Sequence, residues 1–345
     1  MKKINKTAIP LLIICLLLVG CGASNSNSKG GNDSAGNGSS TGTEVGFSIY
    51  LAGATPGGGG VWDMIGAGLA EAIMRSNKGS SVTVIPGGGV SDVPVVSQKE
   101  AELGLTHSVI AVAGVKGIDP FDTEYPNIKG VVSLYPSQLQ FIVNPKLGID
   151  SISEIKEKKV PIKIAVGDPG STGELATKRV LEGYGITYQD IESWGGKVHY
   201  KDMGEATSMY GDDIIDAFTL LTLAPNGPLQ ELATNKQVKM LPVDEAVIEK
   251  VGEEYGYARD VVPQSAYNFL GKDLPTIGSQ TILITNDERS EQEIYQVTKG
   301  LVENLDYIRS IHNNLKDLTP EKMVLTGVEL HPGAEKYYKE IGALK

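Results

Sequence analysis

The chain has 345 residues, which is enough for about two domains of roughly 150 residues each. Its composition, 41% hydrophobic and 21% charged, is that of a globular protein and excludes a collagen-like chain, a coiled coil, general disorder and a multi-span membrane protein. There are 31 basic and 42 acidic residues, giving a net charge of -11. Because the basic residues are scattered among carboxylates, nucleic acid is not an expected partner.

Residues 1–20 have the pattern of a secretory signal peptide. Three lysines precede the apolar run 8–19, which is too short to cross a bilayer. The segment then ends in the sequence LVGC at residues 18–21, which resembles a bacterial lipobox and implies cleavage before Cys21 and lipidation of its thiol. The alternative is an ordinary signal peptide followed by a chance cysteine. We therefore predict a lipoprotein that is extracytoplasmic and anchored to the bacterial cell membrane through Cys21.

Residues 21–45 consist almost wholly of Gly, Ser, Asn, Thr and Ala after the cysteine. Such a composition cannot bury enough apolar surface to offset the entropy of ordering it. We predict a disordered tether between the lipidated Cys21 and the body. The only other cysteine is Cys15 in the leader, so we expect neither a disulfide nor a cysteine metal site in the body.

The body alternates short apolar runs with amphipathic stretches, a pattern typical of α/β folds. Helices are predicted after the glycines at 57–60, over 174–184, through Met209, from Pro228, and as one long helix through 294–308. Strands are predicted at 47–52, 81–85, 102–106, 139–144, 162–166, near Ile191, and at 215–221, 238–241 and 277–285.

Two long strand-like segments, 139–144 and 277–285, flank a complete series of α/β units. This order would suit an inserted second lobe whose two connections to the first lobe are those strands. We therefore predict one lobe from 46–148 plus 258–345, a second lobe from 149–257, and a cleft between them.

Two glycine-rich loops each end a strand and begin a helix, at 54–60 and 167–173. Helix N-termini carry unpaired amide groups and partial positive charge, and glycine lets a ligand approach them closely. Thr55, Ser171 and Thr172 add hydroxyl groups that can donate to a carboxylate. The loops are therefore candidate anion sites, and the alternative is that they are tight turns capped by their own hydroxyls.

Catalytic and metal-binding patterns are sparse. The chain has four histidines and no P-loop, dinucleotide fingerprint, zinc-protease motif or serine-hydrolase motif. His107 follows a predicted strand and is a candidate either for ligand contact or for a structural hydrogen bond, and the pair Asp212 and Asp213 is typical of a solvated helix end. We predict no enzymatic activity, no cofactor and no metal.

Several segments of the chain together carry a family resemblance. The most specific is the C-terminal sequence HPGAEKYYKEIG at 331–342. Others are TPGGGGVWDMIG at 55–66, PGGGVSD at 86–92, LGLTHS at 103–108, LYP at 134–136 and VGDPGSTG at 166–173. Together they resemble the TAXI family of solute receptors of TRAP transporters. Pro332 also suits a first helical turn, so His331 is expected to be structural rather than a ligand contact.

The resemblance implies a two-lobe, type II periplasmic-binding-protein fold with a central cleft that closes on a small carboxylate such as glutamate, glutamine or a 2-oxoacid and delivers it to a membrane permease. It also implies ligand-binding residues at the positions that match the motifs. Together with Thr55 and the aromatic Tyr135, these are Gly59, Val61, Trp62, Gly89, Val90, Ser91, His107, Ser108, Gly170, Ser171 and Thr172.

The chain departs from the family pattern at three places. Trp62 and Asp63 stand where the first motif commonly has two tyrosines, the residues at 89–92 read GVSD where the second often reads SVEN, and Asn144 stands where many relatives have a basic residue. Asp63 and Asp92 thereby add carboxylates near the expected pocket, where they would repel a dianion or pair with an ammonium group. Helix termini would then carry the recognition of an anion. Alternative functions are an extracytoplasmic sensor or protein-binding lipoprotein that is not coupled to transport and, less favoured, an enzyme on the same fold.

Overall fold

A ten-stranded mixed β-sheet forms the centre of the part of the chain that the computed structural model describes, residues 46–54 and 61–345. The strand order is β2-β1-β3-β10-β4-β7-β5-β6, with β8 paired to β4 and β9 paired to β10. The strands are β1 Ser48–Ala54, β2 Ser81–Pro86, β3 Leu103–His107, β4 Ile128–Val143, β5 Lys163–Ala165, β6 Lys197–His199, β7 Ala217–Thr222, β8 Lys239–Leu241, β9 Ala258–Val262 and β10 Leu274–Asn286.

Helices connect and cover these strands. They are α1 Val61–Ser76, α2 Asp92–Ser97, α3 Ser108–Lys116, α4 Ser153–Glu157, α5 Thr172–Gly183, α6 Tyr188–Ser193, α7 Met203–Gly211, α8 Gly227–Asn235, α9 Glu245–Tyr255, α10 Glu291–Glu303, α11 Leu305–Ile311, α12 Pro320–Met323 and α13 Pro332–Glu340. Local sequence explains several starts, since side chains of Ser171, Asp202 and Asn226 accept hydrogen bonds from the first turns of α5, α7 and α8.

The two long strands β4 and β10 lie side by side in the middle of the sheet. β4 pairs antiparallel with β10 over residues 128–138 and with β7 over residues 138–143. Both strands are longer than predicted. In β4, polar residues typical of a loop, such as Ser137 and Gln138, are buried within the strand. β4 therefore continues from one part of the sheet into the other.

Two sequence predictions of secondary structure are wrong. Ile191 lies in α6, which begins with a capping box between Thr187 and Asp190, and the strand comes later as β6. The predicted long helix over 294–308 is two helices, α10 and α11. The break is at Asn304, whose side-chain amide donates to the carbonyl oxygens of Ala72 and Gly300 at 3.1 and 2.8 Å.

The buried apolar side chains form several clusters. One cluster, which includes Leu51, Leu69 and Leu301, draws all its buried members from the predicted first lobe. Another, which includes Ile110, Leu181 and Ile277, contains residues of both predicted lobes. Residues Glu44–Lys345 form one compact unit, and the lobe boundaries at 148/149 and 257/258 stay a prediction.

The signal peptide at 1–20, Cys21, the tether to residue 45, Thr55 and Gly59 lie outside the described residues. Within the ranges 46–54 and 61–345, none of the helices is both long enough and apolar enough to cross a membrane.

Candidate functional site

A cavity of about 280 Å³ opens where several strands of the sheet end and their helices begin. Segments from both predicted lobes line it. The first lobe contributes Val61, Trp62, His107, Tyr135, Ser137 and Asn314, and the second contributes Val166, Gly167, Asp168, Ser171, Gly173, Lys201, Asp202, Met203, Thr219, Leu220, Leu221 and Thr222. A small molecule in this cavity would contact both sets of residues.

An aromatic wall bounds the cavity on the side of α1. Trp62, in the first turn of α1, donates its indole N–H to the hydroxyl of Tyr135 at 3.1 Å. The ring of His107 lies 5.5 Å from the Trp62 ring, centroid to centroid. Burial raises the pKa of Tyr135, so its phenol stays protonated. This wall combines apolar contact area with one hydroxyl group.

His107 is the last residue of β3 and directly precedes α3. Its side chain is buried, and burial lowers its pKa from 6.5 to about 4. The imidazole is therefore neutral at neutral pH. Its Nδ1 atom is buried without a hydrogen-bond partner among the described residues, so this nitrogen provides no structural hydrogen bond.

The N-terminus of α5 forms the opposite wall. Ser171 caps the helix by accepting a hydrogen bond from the Glu174 amide at 3.3 Å, and the buried Glu174 carboxylate accepts one from the Gly170 amide at 3.2 Å. Part of this predicted anion site is thus already bonded internally. The first amides of a helix have no partner within it, and Gly173, the second residue of α5, lines the cavity.

The carboxylate of Asp92 holds the glycine loop at 87–89. Its carboxylate accepts hydrogen bonds from the amides of Gly88 and Gly89 at 3.0 and 3.1 Å. Asp92 is buried, and burial raises its pKa against the effect of these bonds. The carboxylate therefore faces its own loop and is not among the groups that line the cavity.

Gly89 lies at a close approach between the predicted lobes. Its φ of +73° is in the left-handed region, and a β-carbon there would lie 3.2 Å from Thr172 Oγ1 and 3.3 Å from the Trp62 ring. Its carbonyl oxygen accepts a hydrogen bond from Thr106 Oγ1 at 2.8 Å. Only a residue without a side chain fits this conformation without displacing its neighbours.

Lys201, which the sequence pattern did not indicate, also lines the cavity. Lys201 Nζ donates to Glu205 at 3.0 Å, and Asp202 caps the following helix α7. A predicted strand that ends just before Lys201 and Asp202, followed by a predicted helix, would have indicated a loop between strand and helix here. Because the strand was placed near Ile191 instead of at β6, the loop was not recognised as a strand end.

Five predicted site residues line the cavity: Val61, Trp62, His107, Tyr135 and Ser171. Six others lie in the same loops or helix starts but outside the lining, namely Gly89, Val90, Ser91, Ser108, Gly170 and Thr172. Of these, Ser91 contacts Asp92, and Ser108 contacts Ser279 at 3.1 Å. Ligand contact by every member of the two sets stays a prediction.

The other polar residues considered from sequence have structural contacts. His331 Nδ1 accepts from the Gly333 amide at 3.1 Å at the start of α13, and its Nε2 lies 3.2 Å from the Arg289 carbonyl oxygen. Asn144 accepts from the Lys146 amide at 3.0 Å, and Asp213 pairs with Lys236 at 2.7 Å. In the described ranges, no group of three or more His, Cys, Asp or Glu side chains could hold a metal ion.

The sheet topology and the cavity define a periplasmic-binding-protein fold. Solved structures with this fold include the periplasmic binding protein BugD, with 14% identity, a TM-score of 0.52 and coverage of 86% of this chain and 94% of that one. MatC from Rhodopseudomonas palustris with bound malate has 12% identity, a TM-score of 0.53 and coverage of 86% and 97%. PhnD1 from Prochlorococcus marinus with methylphosphonate has 15% identity, a TM-score of 0.52 and coverage of 86% and 96%.

Residues 54–342, which make up most of the chain, match the NMT1-like family. The protein belongs to that family.

Proposed function

We propose that the protein is an extracytoplasmic, lipid-anchored receptor that captures a small carboxylate by closure of two lobes and delivers it to a TRAP-type permease. The observation that carries this proposal is the cavity of about 280 Å³ lined by residues from both predicted lobes. A ligand that bridges both sets of residues favours the closed arrangement, because it binds that arrangement more tightly than an open one.

The charged residues that line the cavity are one lysine, Lys201, and two aspartates, Asp168 and Asp202. Lys201, with Ser171 and Gly173 at the start of α5, can bind a ligand carboxylate, and the aspartates can pair with a ligand ammonium group. Trp62 and Met203 supply apolar surface. MatC with malate and PhnD1 with methylphosphonate show that neighbours in fold hold small anions. This supports a small carboxylate as the ligand class.

The link to a TRAP-type transporter rests on the sequence motifs that resemble the TAXI family. Those motifs also favour glutamate, glutamine or a 2-oxoacid as the carboxylate. The membrane anchor at Cys21 rests on the lipobox resemblance.

Calorimetric titration tests the ligand class. A chain of residues 22–345 is unfolded, refolded to remove any bound ligand, and titrated with amino acids, 2-oxoacids and dicarboxylates. We expect one binding event per chain for a carboxylate, and a ligand at 100 times its dissociation constant should add about 2.7 kcal/mol to the free energy of unfolding. Absence of heat with every compound, from a chain shown to be folded, would refute the proposal.

The transport step has its own test. Ligand-loaded receptor is added to membrane vesicles that contain a TRAP-type permease from the same cells, with radiolabelled ligand as the tracer. We expect uptake that depends on the receptor. Binding without uptake would favour the sensor or protein-binding alternative.

A further inference from the structure

A buried arginine joins the two predicted lobes outside the lining of the cavity. Arg179 lies in α5, in the predicted second lobe, and its side chain is only 1% exposed. Its Nη2 donates to the backbone carbonyl oxygen of Asp119 and lies 3.4 Å from the Asp119 carboxylate. Asp119 follows α3 in the predicted first lobe. A buried charge bonded in this way is costly to separate from its partner.

Two tyrosines hold the same guanidinium group. Its central carbon lies 4.2 Å from the ring centroid of Tyr255, and Nη1 donates to the Tyr257 hydroxyl at 3.3 Å. Tyr255 ends α9, and β9 begins at Ala258. The predicted boundary between the second lobe and the first lies at this point, so Arg179 contacts residues of both predicted lobes beside that boundary.

The geometry of α3 and α5 places this contact at a distance from the ligand site. Both helices begin at the cavity, directly after the lining residues His107 and Ser171. Arg179 is seven residues beyond Thr172, which corresponds to about 10 Å along the helix axis. The contact joins α5 to Asp119 across the two predicted lobes, so a lobe movement that separates α5 from Asp119 breaks it.

The lobes also touch at the cavity in this arrangement. Gly89 of the predicted first lobe approaches Thr172 and leaves no room for a side chain. Leu223 of the second lobe packs against the apolar cluster of the first. The arrangement that Arg179 holds is therefore one in which the cavity walls are close together.

We propose that Arg179 is a latch that stabilises the closed arrangement of the two lobes and thereby sets the affinity for the ligand. The proposal rests on the lobe closure in the proposed function. When only a fraction of the molecules can bind, the apparent dissociation constant rises by the inverse of that fraction. Loss of the latch lowers this fraction, and we expect about tenfold weaker binding.

The distance between the lobes can be measured without a ligand. In a chain of residues 22–345, which has no native cysteine, Lys78→Cys and Glu192→Cys place one spin label on each predicted lobe. Pulsed electron–electron resonance then compares this chain with the same chain carrying Arg179→Met. Arg75→Met is the matched control, because Arg75 also stacks on a tyrosine, at 3.7 Å from the ring centroid of Tyr307, within the first lobe.

We expect Arg179→Met to add a population with a longer distance between the labels, and Arg75→Met to match the unsubstituted chain. If Arg179→Met does not fold, the milder pair Tyr257→Phe and Asp119→Ala takes its place. A folded latch variant whose distance distribution equals that of the unsubstituted chain would overturn the proposal. Failure of the proposed function would appear separately, as an absence of titration heat in the unsubstituted chain, and would leave the distance result intact.

Discussion

Acidification should destabilise this protein through His107. Its pKa in the folded chain, about 4, lies below the ordinary value of 6.5 because the ring is buried. As the pH falls below 6.5, the unfolded chain binds this proton before the folded chain does. The contribution of His107 to the free energy of unfolding therefore falls through the window from pH 6.5 to pH 4, and at pH 5 the loss relative to pH 7 is about 2 kcal/mol.

Urea unfolding at pH 7 and pH 5 measures this loss. His107→Gln keeps a polar side chain of similar size but has no titration in this range. We expect the fall in unfolding free energy between the two pH values to be about 2 kcal/mol smaller in the variant than in the unsubstituted chain. Groups that titrate elsewhere, including the buried Asp92 whose raised pKa acts in the opposite direction, contribute equally to both chains and cancel in the comparison. An equal pH dependence in the two chains would refute the reasoning.

Three further substitutions test the site by denaturant unfolding and ligand titration. Gly89→Ala should cost at least about 1 kcal/mol more than Gly79→Ala, because both residues have positive φ but only Gly79 has open space around it. Asp92→Asn should destabilise the chain by about 1–3 kcal/mol, because it weakens the bonds to two loop amides; a change below 0.5 kcal/mol would contradict this. Lys201→Ala should weaken carboxylate binding at least about tenfold, whereas Lys197→Ala, on the exposed part of β6, should not.

Sequence pattern located most of the secondary structure where local signals are strong. The helix with Trp62, Ile65 and Leu69 on one face, and the loop that ends at Ser171, lie where their periodicity and capping chemistry place them. Local patterns failed at Ile191 and Asn304. A local capping box determined the element at Ile191, and a side-chain hydrogen bond to the distant Ala72 carbonyl oxygen accompanies the helix break at Asn304, so hydrophobic periodicity did not decide either one.

The sequence by itself determined the α/β class. It also located the strand-to-helix transitions near Trp62, His107 and Ser171, because apolar periodicity and glycine loops are local properties of the chain. Only the tertiary structure decided which of these ends share a cavity. Lys201 lines the cavity because β6 pairs with β5, and Asp92 faces its own loop because two amides lie within its reach. Strand order and side-chain direction depend on contacts between residues far apart in sequence, which a single chain's local pattern does not record.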